Sequence, residues 1–183
     1  MKYYTKWASR EYTFKQRLLA LVPAFFLFVL IIPYILVKIL PRLDSFLHLP
    51  VLFFGIVNII CGCLFMVTGA IYGFWSIISQ IDQARGTPLP MMPTQKLLVS
   101  GAFKQSRNPM TFGTILLYLG IGIINGSLSS IAVVILFGAL LLTYIKLVEE
   151  RELEARFGQE YMVYKANTPF ILPRISSKKN KKM

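Results

Sequence analysis

The sequence predicts an all-α integral membrane protein of about four transmembrane helices, the last two forming a C-terminal helical hairpin. Three observations carry that prediction. Of the 183 residues, 55% are hydrophobic, and the mean hydropathy is +0.59, more apolar surface than a soluble domain of this size covers with polar groups. Several apolar runs reach the roughly 20 residues that cross a bilayer as a helix. The charge is lopsided: 20 Lys and Arg against 8 Asp and Glu give a formal +12. On a soluble chain that balance would raise nucleic acid as a partner. Here membrane orientation accounts for it, and no nucleic-acid partner is expected. The length suits one domain with polar appendages.

Residues 1–17 interleave Lys2, Lys6, Arg10, Lys15 and Arg17 with Tyr3, Tyr4, Trp7, Tyr12 and Phe14. That pattern fits an interfacial segment lying on headgroups, or equally a disordered basic tail. The first span is expected over Leu18–Leu40, with Pro23 and Pro33 inside it. It exceeds the about 7–15 residues of a signal-peptide core and no small-x-small cleavage site follows, so it reads as a retained anchor. A loop, Pro41–Pro50, holds Arg42, Asp44 and the single histidine, His48, to which no role is assigned.

The second span is expected over Val51–Ser79. Gly55, Gly62, Gly69 and Gly73 form a stripe along it that would let another helix approach closely, as small residues do in lipid. Asn58 is a candidate interhelical hydrogen-bonding residue, and Cys61 and Cys63 read as small packing residues. The long connection Gln80–Asn108 contains the Pro-rich GTPLPMMP (Gly86–Pro93), which resists regular structure. Its Leu97–Val99 stretch is apolar enough to dip towards the membrane. Pro109 suits the first turn of a helix, and the third span, Pro109–Ile124, is short. After the turn Asn125-Gly126, Ser127 is a plausible N-cap. The fourth helix is expected to run from there to Phe157 and stop at Gly158. No ionisable residue falls in the middle of these spans, which argues against a transporter.

Four spans put both termini and the Gln80–Asn108 loop on one side, with 18 of the 20 Lys and Arg. The positive-inside rule makes that side cytosolic. The tail Lys178, Lys179, Lys181 and Lys182 either adds attraction to anionic lipid or is simply solvated.

Two clusters of opposite sign then return to the cytosolic face. Arg107-Asn108-Pro109 opens one arm of the hairpin and Glu149-Glu150 closes the other. A helix start next to an arginine favours a carboxylate or phosphate, whereas the paired glutamates favour an ammonium or sulfonium. S-adenosyl-L-methionine carries all of these in one amino-acid moiety and is a candidate ligand. The alternative is that Arg107 pairs with a glutamate across the hairpin and both clusters are structural.

The pattern Gly101-x-Phe103-x3-Arg107-Asn108-Pro109-Met110, then a hairpin, then Glu149-Glu150-x2-Leu153-x3-Phe157-Gly158-x2-Tyr161-x2-Tyr164, resembles the isoprenylcysteine carboxyl methyltransferase family. Its wider group includes the phospholipid N-methyltransferases. The resemblance spans about Gly86 to Pro173; the first two spans match in character only. It implies a membrane-embedded methyltransferase that uses S-adenosyl-L-methionine at the cytosolic face without a Rossmann domain. On that reading residues 1–79 form an interfacial segment with two transmembrane helices, and residues 80–183 form the methyltransferase core.

By position, the resemblance implies that Gln95, Lys96, Leu97 and Leu98 line the cofactor. Phe103 stands where the family usually has a tyrosine. Asn108, Pro109, Met110 and Thr111 would form the cofactor-contacting helix start beside Arg107, with Glu149 holding the ammonium and Glu150 in support. Asn108 replaces a histidine common in eukaryotic members, and Thr111 replaces an aromatic. Where prenylcysteine enzymes place a substrate arginine, four residues before the first glutamate, this chain has Ile145 with Lys146 beside it. Lys146 is the candidate to take that arginine's place towards the substrate, offering a point charge rather than a bidentate fork.

Together these readings predict methyl transfer to a lipophilic acceptor, an isoprenylcysteine-like carboxylate or another isoprenoid or lipid. A phospholipid amine or a small thiol is the alternative acceptor. The rival from another class is a membrane scaffold that keeps the fold. No residue is assigned a catalytic role, because direct transfer draws on positioning and exclusion of water.

Overall fold

The computed structural model describes residues 14–83 and 96–174. The expectations placed on residues 1–13, the Pro-rich stretch, Gln95 and the lysine tail lie outside them. Among the described residues every regular element is helical: α1 (residues 14–46), α2 (Ile56–Gln83), α3 (Pro109–Asn125), α4 (Leu128–Phe157) and α5 (Gln159–Asn167). Three helical stretches, Val22–Phe46, Ile56–Asp82 and Leu128–Phe157, are long and apolar enough to cross a membrane. The 17 residues of α3 are apolar but shorter; at about 1.5 Å per residue they reach roughly 25 Å. This is an all-α integral membrane protein.

The first helix differs most from the sequence expectation. It does not end at Leu40 but continues through Pro41 to Phe46, with π-helical turns at Phe26–Ile31 and Ile35–Ile39. The two prolines account for the π register and for what binds the helix. The last π bonds before them run from Ile32 N–H to the Leu27 carbonyl and from Leu40 N–H to the Ile35 carbonyl. In that register the next donors would be residues 33 and 41, both prolines without an N–H. The carbonyls of Phe28 and Leu36 are therefore freed, and an unpaired carbonyl in lipid is costly. The Tyr118 hydroxyl of α3 donates to Phe28 O (2.7 Å). The Ser130 hydroxyl of α4 donates to Leu36 O (2.8 Å), with Asn125 Nδ2 at 3.5 Å. Leu36, Leu40, Tyr118, Ile121 and Val134 form the buried core around these bonds.

Because α1 is longer than expected, Asp44 is not a loop residue. It lies buried near the end of the first apolar helix. Its carboxylate accepts from the Ser127 hydroxyl (2.5 Å) and the Ser129 N–H (2.8 Å), so its charge meets the start of α4. Ser127 caps that helix by accepting from Ser130 N–H. Gly126 makes the reversal before it in a left-handed conformation, φ 61°, that most side chains resist.

The glycine stripe on α2 meets a matching one on α3. A Cβ built on Gly69 would lie 2.5 Å from the Gly113 carbonyl, and one on Gly113 2.6 Å from both Gly69 O and Gly73 N. One on Gly120 would lie 2.6 Å from Gly62 O. Backbone touches backbone along this seam. Gly55 stands outside it, at φ 64° in the turn ahead of α2. Asn58 makes the expected interhelical bond, donating to Ile123 O and Leu52 O and accepting from Phe54 N–H (2.7 Å each). Those bonds hold Val51–Phe54 outside the helix, so α2 starts at Ile56. Cys61 and Cys63 are exposed on the outer surface rather than packed.

Candidate functional site

The polar end of α2 and the segment before α3 build one wall of the site. Ser76 and Ser79 turn their hydroxyls onto the helix's own carbonyls, Tyr72 O and Trp75 O. That leaves a small, unreactive surface against which the turn Gly101–Lys104 packs: a Cβ on Gly101 would lie 2.9 Å from Ser79 Oγ. The Tyr72 hydroxyl donates to Gln105 Oε1 (2.8 Å), and its ring meets Phe112 edge-on. The start of α3 is thereby tied to α2.

The chain beyond α5 builds the other wall. Residues Pro169–Arg174 run alongside Gln105–Asn108 and pair with them through the backbone: Arg107 N–H donates to Pro169 O and Arg174 N–H to Gln105 O (2.9 Å each). The fully buried Ser106 donates to Ile171 O (3.0 Å) and accepts from Asn108 N–H (3.1 Å). Asn108 turns its amide to Phe170 O (2.9 Å) instead of capping α3. The Tyr164 hydroxyl donates to the carbonyl of Phe103 (2.6 Å).

Between the walls, Arg107 and Glu150 form an ion pair across the hairpin. The Glu150 side chain is 4% exposed, too buried to carry a lone charge. Its other oxygen accepts from Lys165 of α5 at 3.0 Å, and Lys165 also reaches Glu154 at 2.7 Å. The Arg107 guanidinium lies 5.4 Å from the Phe170 ring centroid. Burial pushes the Tyr161 hydroxyl above the usual phenol range, with Glu150 adding to the shift and Arg107 opposing it. Burial likewise raises Tyr164. Hydrogen bonds to Glu154 and Glu150 raise Lys165.

The structure thus brings together Arg107, Asn108, Pro109 and Glu150, and it takes the alternative in which Arg107 pairs with a glutamate of the other arm. Met110 and Thr111 follow in the first turn of α3, half-buried. Leu98 is buried, Leu97 and Phe103 are half-buried, and Lys96 is exposed. Glu149 is exposed at the end of the π turn Ile145–Glu149, and no cation among the described residues pairs with it. Ile145 is buried whereas Lys146 is exposed, so the two point to different surroundings. Lys165, Ser106 and Phe170 were not singled out by sequence. Lys165 follows the noted Tyr164, but nothing in the spacing ties it to Glu150.

Two kinds of unmatched group remain. No side chain caps the start of α3, and Arg107 Nε is buried without a partner among the described residues; both are donors suited to an anion. The exposed Glu149 carboxylate suits a cation. The residues present therefore fit the carboxylate and ammonium of an amino-acid moiety.

A family model described as "Phospholipid methyltransferase" matches residues 57–160. The match takes in α2, which the sequence motifs had not reached, and ends just past Gly158. No individual curated protein and no solved structure gave a match.

Proposed function

The chain belongs to the phospholipid methyltransferase family, an integral membrane methyltransferase acting on lipid-type substrates, and on that premise we propose that it methylates the head of an amphiphilic lipid using S-adenosyl-L-methionine. The observation that carries the cofactor reading is the pairing of an uncapped α3 start, with Arg107 Nε unmatched beside it, and an exposed Glu149 with no cation partner.

When bound, S-adenosyl-L-methionine supplies a methyl group on a sulfonium. The backbone donors of Met110 and Thr111 and the Arg107 Nε would hold its carboxylate, and Glu149 its ammonium. Glu150 supports this from behind by fixing Arg107. Leu97, Leu98 and Phe103 would exclude water from the apolar side. These residues bind and orient, which is what a direct transfer needs. The excess of Lys and Arg in the loops on the side of the site supports a cytosolic location for it, and a helix as short as α3 would bring its first turn to headgroup depth.

The acceptor we favour is the amine of a phospholipid, which reacts as the free amine once its ammonium has given its proton to water at the headgroup interface. The description of the matching family supports it, as does the buried Ile145 at the position where prenylcysteine enzymes carry an arginine. An isoprenoid carboxylate is the second reading, favoured by the motif order around Arg107 and Glu149-Glu150. Calorimetry of S-adenosyl-L-methionine on detergent-purified protein, beside Glu149→Ala, tests the cofactor. Saturable binding lost in the variant supports the enzyme reading; no binding by folded wild type, with and without lipid, removes it. Incubation with methyl-labelled cofactor and either phosphatidylethanolamine vesicles or a prenylcysteine then separates the acceptors.

A further inference from the structure

We propose that Lys165 is a positioning residue for the start of α3, acting through Glu150 and Arg107. It lies on α5, beyond the matched residues 57–160, and the inference rests on the reading of that helix start as the cofactor's anion site.

The geometry gives Lys165 a defined task. Glu150 has two oxygens and two cationic partners: Oε1 takes Arg107 and Oε2 takes Lys165 at 3.0 Å. With both oxygens engaged, the carboxylate plane is fixed, and so is the direction from which Arg107 is held. Arg107 adjoins Asn108, the residue on which α3 begins. The same arginine is held by the chain that follows α5: its N–H bonds Pro169 O (2.9 Å) and its guanidinium faces the Phe170 ring. Lys165, four residues before Pro169, therefore closes a loop of contacts from α4 through α5 back to α3.

Charge sharpens the argument. Lys165 also takes Glu154 at 2.7 Å, so one ammonium satisfies two carboxylates of α4. Without it, Glu150 Oε2 would be left buried and unpaired. Glu150 and Glu154 would then face each other one helical turn apart without their shared cation, an unfavourable like-charge pair. Glu150 would relax by turning towards solvent or by drawing Arg107 with it, and either movement displaces the Arg107 donors. Glu149, which has no cation of its own among the described residues, would then compete with Glu150 for an incoming ammonium.

The test uses the full chain in detergent and reads two quantities on Lys165→Met and Lys165→Arg. One is hydrogen exchange of peptides covering residues 105–115; the other is calorimetric binding of S-adenosyl-L-methionine. We expect Lys165→Met to exchange faster across residues 107–112 and to bind about tenfold or more weakly, the usual cost of misplacing a binding group. Lys165→Arg should restore both. A Lys165→Met protein that melts earlier yet binds and exchanges like wild type would make Lys165 merely structural and overturn the proposal while leaving the methyltransferase reading intact. Wild type that does not bind the cofactor would overturn both. If Lys165→Met does not fold, Lys165→Gln, which keeps a donor without the charge, is read against the same two outcomes.

Discussion

The Tyr118 hydroxyl donates to the carbonyl of Phe28, the oxygen that Pro33 leaves without a donor in the π register. A side chain of α3 thus completes the backbone bonding of α1. Tyr118→Phe should cost about 1 kcal/mol, typical of a hydrogen bond between membrane helices. In a Pro33→Ala background, where an N–H is restored, the same change should cost less. A double-mutant cycle on thermal unfolding in detergent checks the coupling; additive effects would count against the proline-freed carbonyl.

The two adjacent glutamates should part company. Glu150→Ala leaves Arg107 without its counter-charge in a buried site, and breaking a buried pair in this way costs about 3–5 kcal/mol. Glu149→Ala removes an exposed carboxylate and should leave the melting temperature within a few degrees of wild type while lowering cofactor affinity. Melting curves beside calorimetry read both.

The α2–α3 seam makes a sharp contrast between neighbouring glycines. Gly113→Ala would place a Cβ 2.6 Å from backbone atoms of Gly69 and Gly73, which cannot swing aside, so the helices must separate at a cost of about 1–3 kcal/mol. A Cβ on Gly73 meets nothing within 4 Å, and Gly73→Ala should be neutral or slightly stabilising through helix propensity. Thermal unfolding of the two variants decides it.

Alkaline conditions should loosen the C-terminal segment before the membrane helices. Burial raises Tyr161 and Tyr164, and hydrogen bonds to Glu154 and Glu150 raise Lys165, above their ordinary ranges in the folded protein. Each therefore holds its proton more tightly when folded, and the stability this represents is intact below about pH 10 and lost as pH rises through the folded values. Hydrogen exchange of residues 159–174 compared at pH 9 and pH 11, corrected for the intrinsic rate, should show the loss. Tyr164→Phe should blunt it.

Much of this was legible because the signals are local. Ser127 caps, Gly158 stops, Pro109 starts and Asn58 bridges, each as its residue type dictates at its position in the chain. The length of α1 was not legible. Pro41 usually marks an end, and only the register of the preceding π turn, together with Ser130 of another helix, shows why it does not. Asp44 was misplaced for the same reason. At the site, sequence identified both charged clusters, because they share one side of a hairpin. It did not find Lys165, since the break at Gly158 erases the helical period that would have aligned it with Glu150. Nor could it find the pairing of Pro169–Arg174 with Gln105–Asn108, a long-range contact with no periodic trace.

The glycine seam also bears on how the chain is made. Helices that touch through their backbones gain nothing from each other until both are present, because a half-formed seam exposes carbonyls and small residues to lipid with little side-chain area to cover them. During synthesis α2 is complete 25 residues before α3 begins, and through that interval its smooth face has no partner. Its insertion must rest on its own apolar length, while its final rotation about its axis is set only when Gly113 and Gly120 arrive. An alteration that slows synthesis of the connecting segment would therefore prolong an unpaired α2, and would be felt as lower yield of assembled protein rather than as a weaker enzyme.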